Sequence, residues 1–402
     1  MMKLEALPPL ALYVHIPWCV RKCPYCDFNS HERVDELPER EYVAKLVADL
    51  EALLPSVWGR RLVSVFIGGG TPSLFSPESI DVLLSAVRAR LPLEPGAEIT
   101  LEANPGAVEA ARFAGFRQAG VNRISIGVQS FEDRMLARLG RIHSAGEARQ
   151  AIGSALESFE NVNIDLMYGL PGQTLAMARA DIEEAAASGV PHVSAYQLTI
   201  EPNTVFWSKP PQLPAHDDCA EMQLQAERVL ADAGFEHYET SAFARPGRRC
   251  HHNLNYWQFG DYLGIGAGAH GKISFPDRIT RHERAKQPNA YMKEESFRES
   301  EVPARELPFE FMLNALRLVE GFPVALFEER TGLPVMRIQR QLEKAEQAGL
   351  LERDWKRVRP TARGQRFLNE LLALFLCDEK PGRAPDAPGA GRAIRISSPA
   401  AR

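Results

Sequence analysis

Three cysteines within eight residues, Cys19, Cys23 and Cys26, are half of the cysteine in this 402-residue chain. They lie in a loop-like stretch punctuated by Pro17 and Pro24, directly after an apolar run. Clustered thiolates are soft ligands, suited to zinc or to iron–sulfur clusters. A zinc site would want a fourth ligand, for which His15 and His31 are at hand. The spacing C-x3-C-x2-C instead favours a cluster in which three irons take a thiolate and the fourth is left open. The remaining cysteines, Cys219, Cys250 and Cys377, are too scattered for a disulfide framework, which predicts a reducing, cytoplasmic setting.

Other chemistry-bearing residues recur at a regular place, just after apolar, β-branched runs. These runs are Leu10–Ile16, Leu62–Ile67, Glu98–Leu101, Arg123–Val128, Asn161–Met167 and His192–Ile200. After the second come Gly68, Gly69, Gly70 and Thr71, and after the third Glu102 and Asn104. The fourth runs into Gln129, the fifth carries Asp165, and the sixth leads to Glu201. Helical spacing fills the gaps, as in Tyr42, Val43, Leu46, Val47 and Leu50. Alternating strands and helices give parallel pairing with right-handed crossovers. Polar residues at the carboxyl ends of such strands point to one shared site. The expected α/β fold is a partial barrel of six βα units over residues 1–202.

Residues 203–300 change texture and contain Cys250 to Gly260, rich in His, Asn and aromatics. Within 276–308 the chain is charged and carries four prolines, which reads as a connection. Helix, helix, hairpin and helix then follow over 301–377, a winged-helix-like domain, a shape that need not touch DNA. The tail, 378–402, has little to bury and is expected to be disordered. A net charge of −5 argues against a general nucleic-acid grip. No transmembrane stretch and no secretion signal are legible, although contact with a membrane surface stays open. Gly264, Gly266 and Ala269 imitate a dinucleotide fingerprint but lack its βαβ setting.

The cysteine spacing, Tyr25 within it, the Gly-Gly-Gly-Thr-Pro run and the six βα units together resemble the radical S-adenosylmethionine superfamily. The resemblance implies a [4Fe-4S] cluster on Cys19, Cys23 and Cys26. It also implies S-adenosylmethionine chelating the open iron, where one electron would release methionine and a 5′-deoxyadenosyl radical. Tyr13, Tyr25, Gly69, Gly70, Thr71 and Glu102 match cofactor positions. Gln129, Arg141 and Asp165 match contacts to a second cofactor molecule in coproporphyrinogen dehydrogenase.

Tyr13 to His31 together with His252-Asn253-x-x-Tyr256-Trp257 resemble the HemW family of haem chaperones, over roughly residues 10–375. That likeness implies haem as cargo and haemoproteins as acceptors. His252 would be a candidate axial ligand, with Asn253, Tyr256 and Trp257 beside it and Arg245, Arg248 and Arg249 for the propionates. Phe28 stands where the dehydrogenase carries a further cysteine, and only 18 residues precede Cys19, short of that enzyme's N-terminal arm. The competing activities are oxygen-independent coproporphyrinogen III oxidation and radical methylation of a heterocycle.

Overall fold

A computed structural model of the chain describes residues 2–33, 36–106, 110–293 and 297–376; the tail expected to be disordered lies outside them. Six parallel strands follow one another in space as in sequence. They are β1 (Leu10–Ile16), β2 (Leu62–Gly69), β3 (Leu93–Ala103), β4 (Arg123–Gln129), β5 (Val162–Tyr168) and β6 (His192–Gln197). Helices such as Glu39–Leu53, Pro77–Arg90, Ala145–Ser158 and Leu175–Ala187 return the chain between them. Three of these four begin on a side-chain cap, all but Glu39–Leu53. Ser76 accepts the N–H of Ser79 just before Pro77, and Ser144 with Glu147 forms a reciprocal capping box. One stripe per helix is buried, as with Ile80, Leu83, Leu84 and Val87 against the sheet.

The sheet does not close. Both of its ends are extended by the segment after β6, which supplies β7 (Glu236–Glu239), β8 (Ala242–Ala244), β9 (Asp261–Ile265), β10 (His270–Ser274), β11 (Ile279–Arg284) and β12 (Phe297–Glu301). The order across the 12-stranded sheet is β12-β11-β10-β9-β1-β2-β3-β4-β5-β6-β8-β7. Strand β9 pairs parallel to β1, Leu10 opposite Asp261 and Val14 opposite Ile265. The glycine run from Gly264 therefore ends a sheet strand rather than cradling a dinucleotide.

The connection expected over 276–308 is instead two strands and the helix Pro288–Lys293. Its charges concealed it. Arg284 is buried against Asp49, and Arg281 reaches Glu310 and the Tyr262 hydroxyl, so ion-paired side chains occupy places that apolar ones usually mark.

The C-terminal unit has its own core around Phe311, Phe322, Phe327, Leu342 and Leu371. Helices Leu307–Ala315, Val324–Thr331 and Gln339–Gln347 pack on a three-stranded sheet of Phe322–Pro323, Leu351–Arg353 and Arg357–Pro360. The hairpin was legible in sequence; the two-residue first strand was not. Among the described residues no helix is long and apolar enough to cross a membrane.

Candidate functional site

The carboxyl ends of β1 to β6 surround a cavity of about 280 Å³. Its wall includes Cys19, Cys23, Tyr25, Cys26, Gly69, Gly70, Thr71, Glu102, Gln129, Arg141 and Asp165, so eleven of the twelve residues expected at the cluster and its cofactor meet in one place. The twelfth, Tyr13, is buried in β1 below it, its hydroxyl 2.9 Å from Nδ1 of His15.

The cysteine loop is a pinned excursion from β1. Trp18–Cys19 pairs with His31–Glu32, and the His31 N–H donates to the Pro17 carbonyl at 2.7 Å. Asn29 ties its tip to the far side of the sheet, donating to the carbonyls of Ala267 at 2.9 Å and Lys286 at 2.8 Å. Burial raises the Cys19 thiol and pushes Cys26 up to about 11. His15 and His31 do not join the thiols. The His15 ring donates from Nε2 to the Asn29 carbonyl and is lowered to about 4 by burial, while His31 Nε2 lies 3.3 Å from Oδ1 of Asn29. Among the described residues no three His, Cys, Asp or Glu side chains converge as ligands of a single metal ion do. The thiols line a wall instead, which suits a cluster with one iron per thiolate.

Beside them the glycine run lies close to backbone. A Cβ on Gly70 would stand 2.6 Å from the Trp18 carbonyl oxygen, and Gly69 has φ +116°. Bare peptide groups are thus presented next to Cys19. Opposite, Arg141 donates to Oδ1 of Asn104 and the Gly127 carbonyl, both at 2.8 Å, and approaches the Cys23 sulfur at 3.6 Å. One guanidinium therefore holds the cysteine loop to the ends of β3 and β4. Gln129 follows a register break in β4 and takes φ +70°, which turns it into the cavity.

Further in, Glu102 accepts the Gly69 N–H at 3.0 Å. Burial, then the Asp165 charge, push its carboxyl up to about 8. Asp165 accepts from Asn163 Nδ2 at 2.9 Å and Ser125 Oγ at 3.2 Å, and burial raises it as well. Arg123, Ser125, Asn163, Ser194 and Tyr196 complete the inner wall, and sequence reading at strand ends missed them. Their signal was alternation: 123 and 125, 163 and 165, 194 and 196 are polar partners two apart on consecutive strands, all facing one interior.

The haem candidates separate. They lie on the helix His251–Trp257, and Asn253 lines the cavity. His252, Tyr256 and Trp257 face into the core. His252 contacts Ser64 Oγ through Nδ1 at 3.0 Å and stacks on Phe66 at 4.8 Å; burial, aided by Arg123, lowers it to about 3. Tyr256 packs on Tyr262, and Trp257 lies beneath the guanidinium of Arg317 at 4.3 Å. As folded, these three rings present no open face to a porphyrin. Arg249 is taken by Glu236 and Glu320, and Arg248 by Glu160.

Six strand-end segments around a three-cysteine loop define a radical S-adenosylmethionine protein, and residues 13–185 match the Radical SAM superfamily, with residues 302–367 matching the HemN C-terminal domain. Within that superfamily the chain belongs to the HemW family. The heme chaperone HemW of Haemophilus influenzae is 50% identical over 383 residues, covering 94% of this chain and 100% of that protein. The heme chaperone HemW of Escherichia coli is 51% identical over 378 residues, covering 92% and 99%. Among solved structures, coproporphyrinogen III oxidase from Escherichia coli, a radical SAM enzyme, superposes with a TM-score of 0.77 at 21% identity, covering 92% of this chain and 90% of that one. That likeness is one of fold.

Proposed function

We propose that this chain is a haem chaperone, which binds haem and passes it to acceptor haemoproteins in the cytoplasm. One observation carries the reading: the end-to-end match to proteins named heme chaperone HemW, spanning both the strand core and the C-terminal unit. In this reading Cys19, Cys23 and Cys26 hold three irons of a [4Fe-4S] cluster, with S-adenosylmethionine among Gly69, Gly70, Thr71, Glu102, Gln129, Arg141 and Asp165.

The residues fit those groups. Three thiols on one wall leave an iron without a protein ligand, and the uncovered glycine backbone lies next to it. When bound, the cluster would supply one electron to the sulfonium. Arg141 would fix the loop and face a cofactor carboxylate or thiolate. Glu102, neutral at pH 7 with a carboxyl near 8, would donate or accept at a ribose hydroxyl.

Phe28 also lines this cavity, where coproporphyrinogen dehydrogenase is expected to carry a cysteine, and this favours carriage over that enzyme's chemistry. The test is anaerobic cluster reconstitution followed by two assays on one preparation: haem transfer to an apo-haemoprotein, and coproporphyrinogen III decarboxylation. Transfer without decarboxylation is the expected result; efficient decarboxylation overturns the chaperone reading.

A further inference from the structure

Arg123, the first residue of β4, lies on the inner wall of the cavity with its side chain only 3% exposed. Its Nε is buried without a hydrogen-bond partner among the described residues, and its nearest acid, Glu98, stands 3.9 Å away. A buried guanidinium ordinarily has acceptors for its fork of donors, because an unmade bond in a dry site is costly.

The neighbouring acids are engaged elsewhere. Glu98 accepts the N–H groups of His251 and His252, each at 3.2 Å, and the Cys250 thiol at 3.3 Å. Asp165 is held by Asn163 and Ser125, and Glu102 by Gly69. By gripping the start of helix His251–Trp257, Glu98 also fixes Asn253, which lines the same cavity. The wall therefore presents a cation fork and an amide with room in front of them.

We infer that Arg123, assisted by the Asn253 amide, is the docking point for a carboxylate of the ligand that occupies this cavity. This rests on the cavity's being the ligand site in the function proposed above. In that reading S-adenosylmethionine gives its methionyl carboxylate to the open iron, so the carboxylate expected at Arg123 is a haem propionate, and the test separates the two. At about 280 Å³ the cavity does not enclose a porphyrin, so haem would enter by an edge, propionate leading.

The test uses the full chain with its cluster reconstituted, and equilibrium binding of two ligand pairs. One pair is S-adenosylmethionine and its decarboxylated analogue; the other is haem and haem dimethyl ester. The acid-to-neutral affinity ratio is measured for the wild type, R123Q and R123K, with far-UV dichroism and cluster absorbance reporting integrity. In R123Q the ratio is expected to fall about tenfold or more for one pair, which identifies the carboxylate, with R123K in between. A ratio unchanged in both pairs, with all ligands weakened alike, overturns the inference and leaves Arg123 as a counter-ion of the core. Should R123Q fail to fold, R123K decides: an unchanged ratio there overturns it equally. A wild type that binds neither haem nor S-adenosylmethionine defeats the underlying functional reading instead, so the two failures differ.

Discussion

Glu102 shows what burial does to a single carboxyl. In an unfolded chain a glutamate gives up its proton near pH 4.3, whereas here it holds the proton up to about 8. An acid whose pKa is raised by folding contributes stability at low pH that is lost as the pH climbs through the folded value. Glu102→Gln cannot ionise, so its melting temperature should gain on the wild type steadily between about pH 5 and pH 8. A gap between the two that stays constant over that range would show that the carboxyl titrates freely. At this scale the sequence was most legible at strand ends, where Glu102, Gln129 and Asp165 interrupt apolar runs. It was least legible in mid-strand, where Ser125 and Asn163 look like ordinary interior polar residues until six strands are set side by side. His252 was ambiguous for a related reason: its residue type suits haem iron, and only packing against Phe66 and Ser64 reveals which way it faces.

The elements place these side chains through backbone contact more than through side-chain packing. The turn after β2 touches the strand that begins the cysteine loop: the Trp18 carbonyl accepts the Thr71 N–H at 2.8 Å and lies 2.6 Å from where a Gly70 Cβ would be. Gly70→Ala should therefore cost about 1–3 kcal/mol in urea denaturation, with lower cluster content per chain as Cys19 shifts. Gly153→Ala is the matched control. It lies inside helix Ala145–Ser158 with nothing within 4 Å of a new Cβ, and should add about 0.5–1 kcal/mol. A gain at both positions would show that the turn tolerates a side chain. The six βα units were readable because burial on both faces keeps strands such as β1 and β2 apolar along most of their length. Strands β11 and β12 were not, since β11 buries paired arginines and every residue of β12 is exposed at the sheet edge.

For the molecule as a whole, the haem-like motif serves as a seat for the C-terminal unit. The Arg317 guanidinium covers Trp257, stands 4.0 Å from buried Glu239, and its carbonyl accepts the Thr240 N–H at 3.0 Å. Arg317→Ala leaves Glu239 buried and unpaired, a loss of about 3 kcal/mol. Urea unfolding of the variant should begin earlier, with proteolysis favouring the junction near residue 301; an unchanged midpoint would assign the contact no energetic weight. None of this docking could be read from spacing, because it joins residues of unlike type such as Thr240 and Arg317, 77 positions apart.

The strand β1 and the loop that follows it have one more consequence, which concerns the order in which the chain is made. The neighbour of β1 on one side is β9, and the two acceptors that pin Asn29 lie 238 and 257 residues further along. A chain emerging from the ribosome therefore exposes its three cysteines well before it contains Ala267 and Lys286, whose carbonyls hold their loop. In the function proposed above, the loop that would hold the cluster is therefore made well before the backbone that pins it, and cluster loading is expected only once Lys286 has been added.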